Sequence, residues 1–187
     1  MKCLQNGKID EKDWEIIVAL QADGRMSLVE LGRRAKLKHP SVRARLNKLI
    51  NMGLVKVQAN INVKRLGYNV AIINVEIEDL SSAANEVKKL ISCPKVFLAL
   101  VKGSDYNLLL AMLYRSVGEL ESFIEKRVRK IPGLRRLDVE LDVMLKPTFI
   151  PCELRPLNEF CEEECETCRY KEEPFSCPGC LSTGGTR

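Results

Sequence analysis

Residues 27–54 read SLVELGRRAKLKHPSVRARLNKLINMGL, and this stretch contains the start signals of two short helices in succession. Ser27, with Glu30 three residues later, forms a capping box that begins the first of them. Residues 37–39 leave room only for a tight turn, and Pro40 suits the first turn of the second helix, where its missing N–H costs nothing. Two helices joined so closely predict a helix-turn-helix unit.

A further helix upstream completes a three-helix bundle. Asp10 can cap this helix, in which the apolar side chains of Trp14, Ile17 and Val18 recur at helical spacing. Residues 22–25 end it. The last of the three helices has four apolar residues on one face, namely Val42, Leu46, Leu49 and Ile50.

The positive charge of the chain is concentrated in the same region. Its 187 residues include 30 Lys+Arg and 25 Asp+Glu, which gives a net charge of +5. Residues 1–65 carry +8, residues 66–150 carry +1 and residues 151–187 carry −4. A polyanionic partner would therefore bind the first third of the chain. A basic face that contacts only solvent is the alternative interpretation.

The last helix of the bundle has the width that fits a DNA major groove, so the sequence predicts double-stranded DNA as a partner. In a helix-turn-helix protein the first residues of this helix lie nearest the base edges, and other basic residues meet phosphates. The residues predicted to contact DNA are Lys36, Lys38, His39, Pro40, Ser41, Arg43, Arg45 and Lys48. Those nearest base edges are His39, Pro40, Ser41 and Arg43, and those assigned to phosphates are Lys36, Arg45 and Lys48.

Two longer motifs resemble the Lrp/AsnC (feast/famine) family of transcriptional regulators. Residues 9–31, IDEKDWEIIVALQADGRMSLVEL, are similar to the opening of that family. Residues 37–55, LKHPSVRARLNKLINMGLV, are similar to its recognition helix and the turn that follows. The resemblance implies a sequence-specific DNA-binding regulator. Lys38 stands where the family usually has a capping serine, and losing such a cap typically costs about 0.5–2 kcal/mol.

The middle of the chain predicts a four-stranded antiparallel sheet with two helices. After a connecting strand over residues 55–63, the order βαββαβ gives a ferredoxin-like sandwich, so the fold class is α+β. Helices on one face leave the other face uncovered, and two such faces packed together predict a homodimer. The elements are strands over 70–78, 96–101, 108–113 and 137–145, a helix capped by Ser81 or Ser82, and a helix begun by a Ser116–Glu119 capping box.

The resemblance also implies a function for this second domain. Lrp/AsnC proteins use it to dimerise and to bind an effector, often an amino acid, and many assemble further into tetramers or octamers. A glycine-containing loop between the second and third strands helps bind the effector. The matching residues are Gly103, Ser104, Asp105, Tyr106 and Asn107. Asn107 stands where an aspartate is common, so a ligand ammonium would lose one carboxylate partner, and an ordinary hairpin turn without ligand is the alternative.

The acidic end of the chain is rich in cysteine. Two Cys-x2-Cys pairs, Cys165 with Cys168 and Cys177 with Cys180, have the spacing that supplies four thiolates to one Zn²⁺. Cys161 is a fifth candidate ligand, and its spacing to the first pair also suits a [4Fe–4S] cluster. Disulfides are the third alternative, which an oxidising compartment would favour.

No apolar stretch approaches the 18–20 residues that cross a bilayer, and the first residues lack a signal-peptide core. We therefore expect a cytoplasmic protein with no membrane partner.

Siroheme decarboxylases resemble Lrp/AsnC proteins but use second-domain histidines, whereas His39 is the chain's one histidine and lies in the first domain. A non-enzymatic regulator is predicted, with that enzyme or an interaction protein that binds no DNA as alternatives. The predicted domains are residues 1–54, a linker over 55–65, residues 66–150 and a tail over 151–187.

Overall fold

The computed structural model describes residues 9–152, which divide after Ala59 into two compact units. The first unit contains three helices: α1 (Glu11–Ala22), α2 (Leu28–Ala35) and α3 (His39–Asn51). Capping boxes begin the first two, because the side chains of Asp10 and Ser27 accept backbone N–H groups and the third residue of each helix returns the hydrogen bond. The third helix is preceded by Lys38 in the cap position, where its side chain makes no capping hydrogen bond.

The turn between α2 and α3 depends on two backbone features. Lys36 adopts a left-handed conformation with φ of 52°, which ends α2. A β-carbon on Gly32 would lie 2.6 Å from the Leu37 carbonyl oxygen, so only glycine permits this close approach. The backbone N–H of Leu37 donates to the Gly32 carbonyl at 2.8 Å. The predicted helix-turn-helix is thereby confirmed.

The core of the first unit corrects the predicted inward face of α1. Trp14 and Val18 are 55% and 59% exposed, whereas Asp13, Ile16 and Ala19 are buried. The inward stripe is formed by Ile16 and Ala19, with Leu20 packed beside them, and the buried Asp13 carboxylate next to this stripe pairs with an arginine of α3. The buried apolar residues of this core are Ile16, Ala19, Leu31, Ala35, Val42 and Leu49. Ile50, predicted inward on α3, is exposed.

The second unit has the predicted βαββαβ order. Its antiparallel strands lie side by side in the order β2-β3-β1-β4, the arrangement of a ferredoxin-like sandwich. The α5 helix continues through a π-helical turn over Ile124–Val128. The elements are β1 (Asn69–Ile77), α4 (Ala84–Ile91), β2 (Val96–Val101), β3 (Leu108–Tyr114), α5 (Val117–Phe123) and β4 (Leu134–Asp142).

Three local predictions for the second unit are wrong. Among residues 9–152, the segment 55–63 that was predicted as a connecting strand forms one bridge, Ile61 with Ile150, because an alternating pattern does not show whether a neighbouring strand is present. The α4 helix begins after Ala83 without a side-chain cap, since the Ser81 hydroxyl donates to the Asp79 carboxylate and the Ser82 hydroxyl to the Asp79 carbonyl instead. The last strand starts at residue 134 and ends at 142, three residues earlier at each end than predicted.

The α5 helix begins with half of the predicted capping box. The Ser116 hydroxyl accepts the Glu119 backbone N–H. The Glu119 carboxylate, however, accepts the Arg115 backbone N–H at 2.6 Å and pairs with the Lys95 ammonium, and both members of this ion pair are buried. Glu119 therefore ties the start of α5 to the start of β2.

The two faces of the sheet differ in composition. One face packs its alternate residues, Ala71, Ile73 and Val75 in β1, into the core shared with α4 and α5. We call the opposite face the open face. One end of it, at Val70 and Leu113, is buried in a cluster with residues that precede β1 and follow β4. By strand register the rest has an apolar half, mainly on β2 and β3, and a polar half on the later part of β1 and on β4. Its apolar half is Leu98, Leu100, Leu109 and Ala111, and its polar half is Asn74, Arg136, Asp138 and Glu140.

Candidate nucleic-acid interface

The predicted DNA-contacting residues lie on one continuous surface formed by the end of α2, the turn and α3. Seven of the eight are exposed: Lys36, Lys38, His39, Pro40, Ser41, Arg43 and Lys48. Arg33 and Arg34 at the end of α2 are exposed as well. Six of these exposed residues are Lys or Arg and none is acidic, so this surface is strongly positive and would attract phosphates.

Two exposed residues of α3 were missed from sequence. The buried residues Val42 and Leu49 mark the inward side of this helix. At about 3.6 residues per turn, Ala44 and Asn47 lie close to the opposite side, and both are exposed. Asparagine can pair with adenine through two hydrogen bonds in the major groove. The phase of Val42 and Leu49 would have identified Asn47 as a candidate base contact.

Arg45 differs from the other basic residues of α3 because it is engaged within the unit. Its Nη1 lies 2.6 Å from Asp10 Oδ2 and 2.8 Å from Asp13 Oδ1. The hydrogen bond from Arg45 is the main cause that holds the pKa of the Asp10 carboxyl below its ordinary value. Lys48 Nζ lies 4.0 Å from the second Asp13 oxygen.

The candidate effector loop connects β2 and β3 as a tight hairpin. The Lys102 backbone N–H donates to the Asn107 carbonyl at 2.8 Å, and the Ser104 hydroxyl donates to the Tyr106 carbonyl at 3.1 Å. The Asn107 amide binds the backbone of Ile77 at the end of β1: its Nδ2 donates to the carbonyl at 2.6 Å, and its Oδ1 accepts the N–H at 3.0 Å. Asn107 therefore fastens the loop to the sheet, while residues 103–105 stay exposed.

The metal-ligand candidates Cys161, Cys165, Cys168, Cys177 and Cys180 lie outside the described residues. Within residues 9–152, no group of three or more His, Cys, Asp or Glu side chains is arranged to hold a metal ion. Cys93 and Cys152 are free, and burial raises the pKa of both thiols. Across that same span, no helix has the length and apolar character needed to cross a membrane.

Comparisons with known proteins agree with this geometry. Residues 9–50 match the AsnC-type helix-turn-helix domain. An uncharacterized HTH-type transcriptional regulator of Pyrococcus abyssi is 35% identical over 142 residues, covering 74% of this chain and 89% of the relative. LrpC of Bacillus subtilis, another HTH-type transcriptional regulator, is 40% identical over 67 residues, which are 35% of this chain and 46% of LrpC.

Solved structures show the same fold. The leucine response regulatory protein LrpA of Mycobacterium tuberculosis matches with a TM-score of 0.63 at 25% identity, covering 72% of this chain and 93% of LrpA. The E. coli protein AsnC matches with a TM-score of 0.66 at 20% identity, covering 75% of this chain and 96% of AsnC.

These relatives are named transcriptional regulators, which supports the predicted non-enzymatic role over the decarboxylase alternative. A basic, exposed recognition helix, the ferredoxin-like second unit and relatives that share most of the chain all point to one assignment. The chain belongs to the Lrp/AsnC family of DNA-binding transcriptional regulators.

Proposed function

We propose that this regulator binds double-stranded DNA as a homodimer, with the α3 helix of each protomer in a major groove of one half-site. The observation that carries the proposal is the outward surface of α3 and its turn, where basic and hydrogen-bonding side chains stay exposed around the start of the helix. Exposed Ser41, Arg43 and Asn47 would read base edges. Lys36 and Lys48 would meet phosphates and fix the register of the protein on the duplex.

The dimer is proposed to form through the open face. Leu98 and Leu100 are 42% and 47% exposed on the edge strand β2, next to Leu109 of β3. A two-fold axis that places these apolar halves on one another would leave the charged residues of β4 at the rim. Such an arrangement has the usual anatomy of an interface, with an apolar centre and a polar periphery. Further assembly into tetramers or octamers is an outcome that light scattering would distinguish.

A small effector is proposed to bind at the hairpin between β2 and β3. One regulator of this fold, from Neisseria meningitidis, was solved as a complex with L-Met; it is 21% identical to this chain. Here Gly103, Ser104 and Asp105 are exposed and Tyr106 is half-buried, while Asn107 is engaged with β1. Calorimetric titration with the amino acids one at a time tests this proposal. Heat from one amino acid, lost in Asp105→Ala, would support it, and no heat from any would contradict it.

The tail is proposed to bind one metal ion per chain, zinc rather than a [4Fe–4S] cluster. The support is the spacing of Cys165, Cys168, Cys177 and Cys180, with Cys161 as a fifth thiol. Elemental analysis of protein purified anaerobically without chelators should find zinc at one ion per chain, and Cys168→Ser with Cys180→Ser should remove it. A brown protein containing iron would indicate the cluster, and metal-free protein with Cys–Cys bridges would indicate disulfides.

The experiment that tests DNA binding starts from a random-sequence duplex pool. The full-length protein should enrich a two-half-site sequence, and affinity for that duplex should fall steeply with salt, with a slope of about −0.9 per phosphate contacted. Failure to enrich any sequence, or binding that does not respond to salt, would contradict the proposal. As a transcriptional regulator, the protein is proposed to act in the cytoplasm.

A further inference from the structure

The side chain of Arg45 joins the start of α1 to the middle of α3. Its Nη1 donates to Asp10 at 2.6 Å and to Asp13 at 2.8 Å. The same carboxylates build the capping box of α1, where the Asp13 backbone N–H donates to Asp10 at 2.9 Å and the Asp10 backbone N–H donates to Asp13 at 3.3 Å. We call these three residues the Asp10–Asp13–Arg45 clamp. One guanidinium nitrogen thus links the capping box to the recognition helix.

Burial makes this pairing compulsory for Asp13. Its side chain is 1% exposed, and a buried carboxylate is tolerated only when it is paired and hydrogen-bonded. Lys48 Nζ, 4.0 Å from Asp13, is beyond hydrogen-bond distance and does not replace the guanidinium. If Arg45 turned outward to a phosphate, Asp13 would lose its main cation. Arg43 and Lys36, which are exposed, carry no such penalty.

The rotation of α3 depends on the clamp because the helix has few other polar anchors. Lys38 supplies no side-chain cap, and the apolar contacts of Val42 and Leu49 with α1 and α2 are not directional. A hydrogen-bonded ion pair is directional and fixes one face of the helix. A rotation of α3 about its axis would turn Ser41, Arg43 and Asn47 away from the bases they are proposed to read.

We propose that Arg45 is a positioning residue for sequence readout and does not itself bind a phosphate. Through Asp10 and Asp13 it holds α3 at the rotation that presents its outward side chains to base edges. This inference rests on the proposed placement of α3 in the major groove. A variant in which the clamp is weakened should therefore discriminate less between DNA sequences, while its non-specific attraction to DNA remains.

The decisive variant is Asp10→Asn, which keeps Arg45, its charge and its bond to Asp13. If Arg45 bound a phosphate, removing a competing carboxylate would tighten binding to every duplex. If Arg45 positions α3, binding to the selected duplex should weaken by at least about fivefold, while binding to the same duplex with scrambled sequence should change by less than about twofold. Both affinities are measured by fluorescence anisotropy with the full-length protein.

The salt dependence separates the two roles of a basic residue. Arg45→Gln should leave the slope of log affinity against log salt unchanged on the scrambled duplex. The control, Lys36→Gln, should reduce the magnitude of that slope by about 0.9 for each phosphate that the variant no longer neutralises. A slope reduced by Arg45→Gln as much as by the control would overturn the inference.

A role of Arg45 in folding alone is excluded by comparing the affinities for the selected and the scrambled duplex at equal folded fractions of the variants. Circular dichroism and thermal unfolding establish the folded fraction of each variant, and Asp10→Asn serves where Arg45→Gln unfolds. A proportional loss on both duplexes, or tighter binding by Asp10→Asn, would overturn the inference alone. An unaltered protein that selects no sequence would overturn the proposed function together with it.

Discussion

Two arginines of α3 show how position decides the role of a residue type. Arg43 and Arg45 are two residues apart, which places them about 200° apart around the helix. Arg43 is exposed on the side proposed to face DNA, whereas Arg45 meets two carboxylates of α1. The same guanidinium is therefore free for recognition at one position and committed to packing at the other.

Asn47 is the residue at which we expect sequence preference to be most directly altered. It is exposed near the centre of the outward side of α3, so Asn47→Ala removes a base contact without affecting the core. The selected duplex should lose about 1–3 kcal/mol of binding free energy at one base position, and preference at that position should relax. Repeating the selection with the variant measures this. Gln21→Ala, at the exposed end of α1, is the control, and an equal effect there would contradict the assignment.

Acid should destabilise the first unit through residues that begin its helices. The hydrogen bond from Arg45 lowers the pKa of Asp10 from its ordinary 3.8, and the hydrogen bond from Ser27 lowers the pKa of Glu30 from 4.5. Each depressed pKa contributes stability that is present above the ordinary value and is lost as the pH falls through the folded value. Thermal unfolding should therefore shift downward below about pH 4.5. Glu30→Gln should flatten this dependence, and an unchanged pH profile would contradict it.

At the scale of elements, features that depend on neighbours in sequence could be predicted, and features that depend on contacts between distant residues could not. The Ser27–Glu30 capping box and the hairpin between β2 and β3 depend on neighbours in sequence, and both form as predicted. The burial of the Asp13 carboxylate on α1 is matched by Arg45, which lies 32 residues away in the sequence. Periodicity also fits a second apolar stripe of Ile16, Ala19 and Leu20, and it cannot show that a distant arginine pairs with the carboxylate beside that stripe, so Trp14 and Val18 are predicted on the wrong side.

The candidate DNA interface likewise contains residues that could be identified from sequence and residues that could not. Its basic residues were identified from sequence because they follow from composition and from the position of the turn. The engagement of Arg45 and the exposure of Asn47 were not, since both depend on the phase of α3 against its neighbours. For Asn107 the sequence predicts either a place in the effector loop or an ordinary hairpin turn, whereas its bonds to Ile77 require knowing that β1 ends beside the hairpin.

The uncapped start of α3 offers a gain in stability. Lys38 has extended backbone angles, φ −74° and ψ 148°, which are those of a capping residue, but its side chain makes no cap. Lys38→Ser should supply the missing hydrogen bond to the first turn and stabilise the first unit by about 0.5–2 kcal/mol. Urea unfolding without DNA measures the change. Lys38→Ala removes the same side chain without adding a cap, so equal stability of the two variants would count against this account.

At the scale of the whole molecule, the two helices cover one face of the second unit's sheet, whereas the open face is covered only at one end, by the cluster of Val63, Tyr68 and Ile150 on Val70 and Leu113. Both helices pack on one side of the sheet, while the open face keeps leucines in contact with solvent. A second copy covers such a face without any new sequence, because a two-fold axis pairs each apolar half with itself. In the proposed dimer the same axis would present two recognition helices to two half-sites, so we expect assembly and DNA recognition to fail together.

The proposed dimer can be tested with substitutions on the edge strand β2 that differ only in which face of the sheet they occupy. Leu98 and Leu100 lie on the open face by register with Ala111 and Leu109, whereas Val101, 71% exposed, lies on the opposite side. Leu98→Glu with Leu100→Glu should place four carboxylates in the apolar centre of a dimer and dissociate it to monomers, as measured by light scattering. Val101→Glu adds a charge to the same strand but outside the interface, so it should leave the dimer intact. Dissociation by Val101→Glu as well would place the interface at the edge of β2 instead, and a dimer that survives the double substitution would exclude the open face.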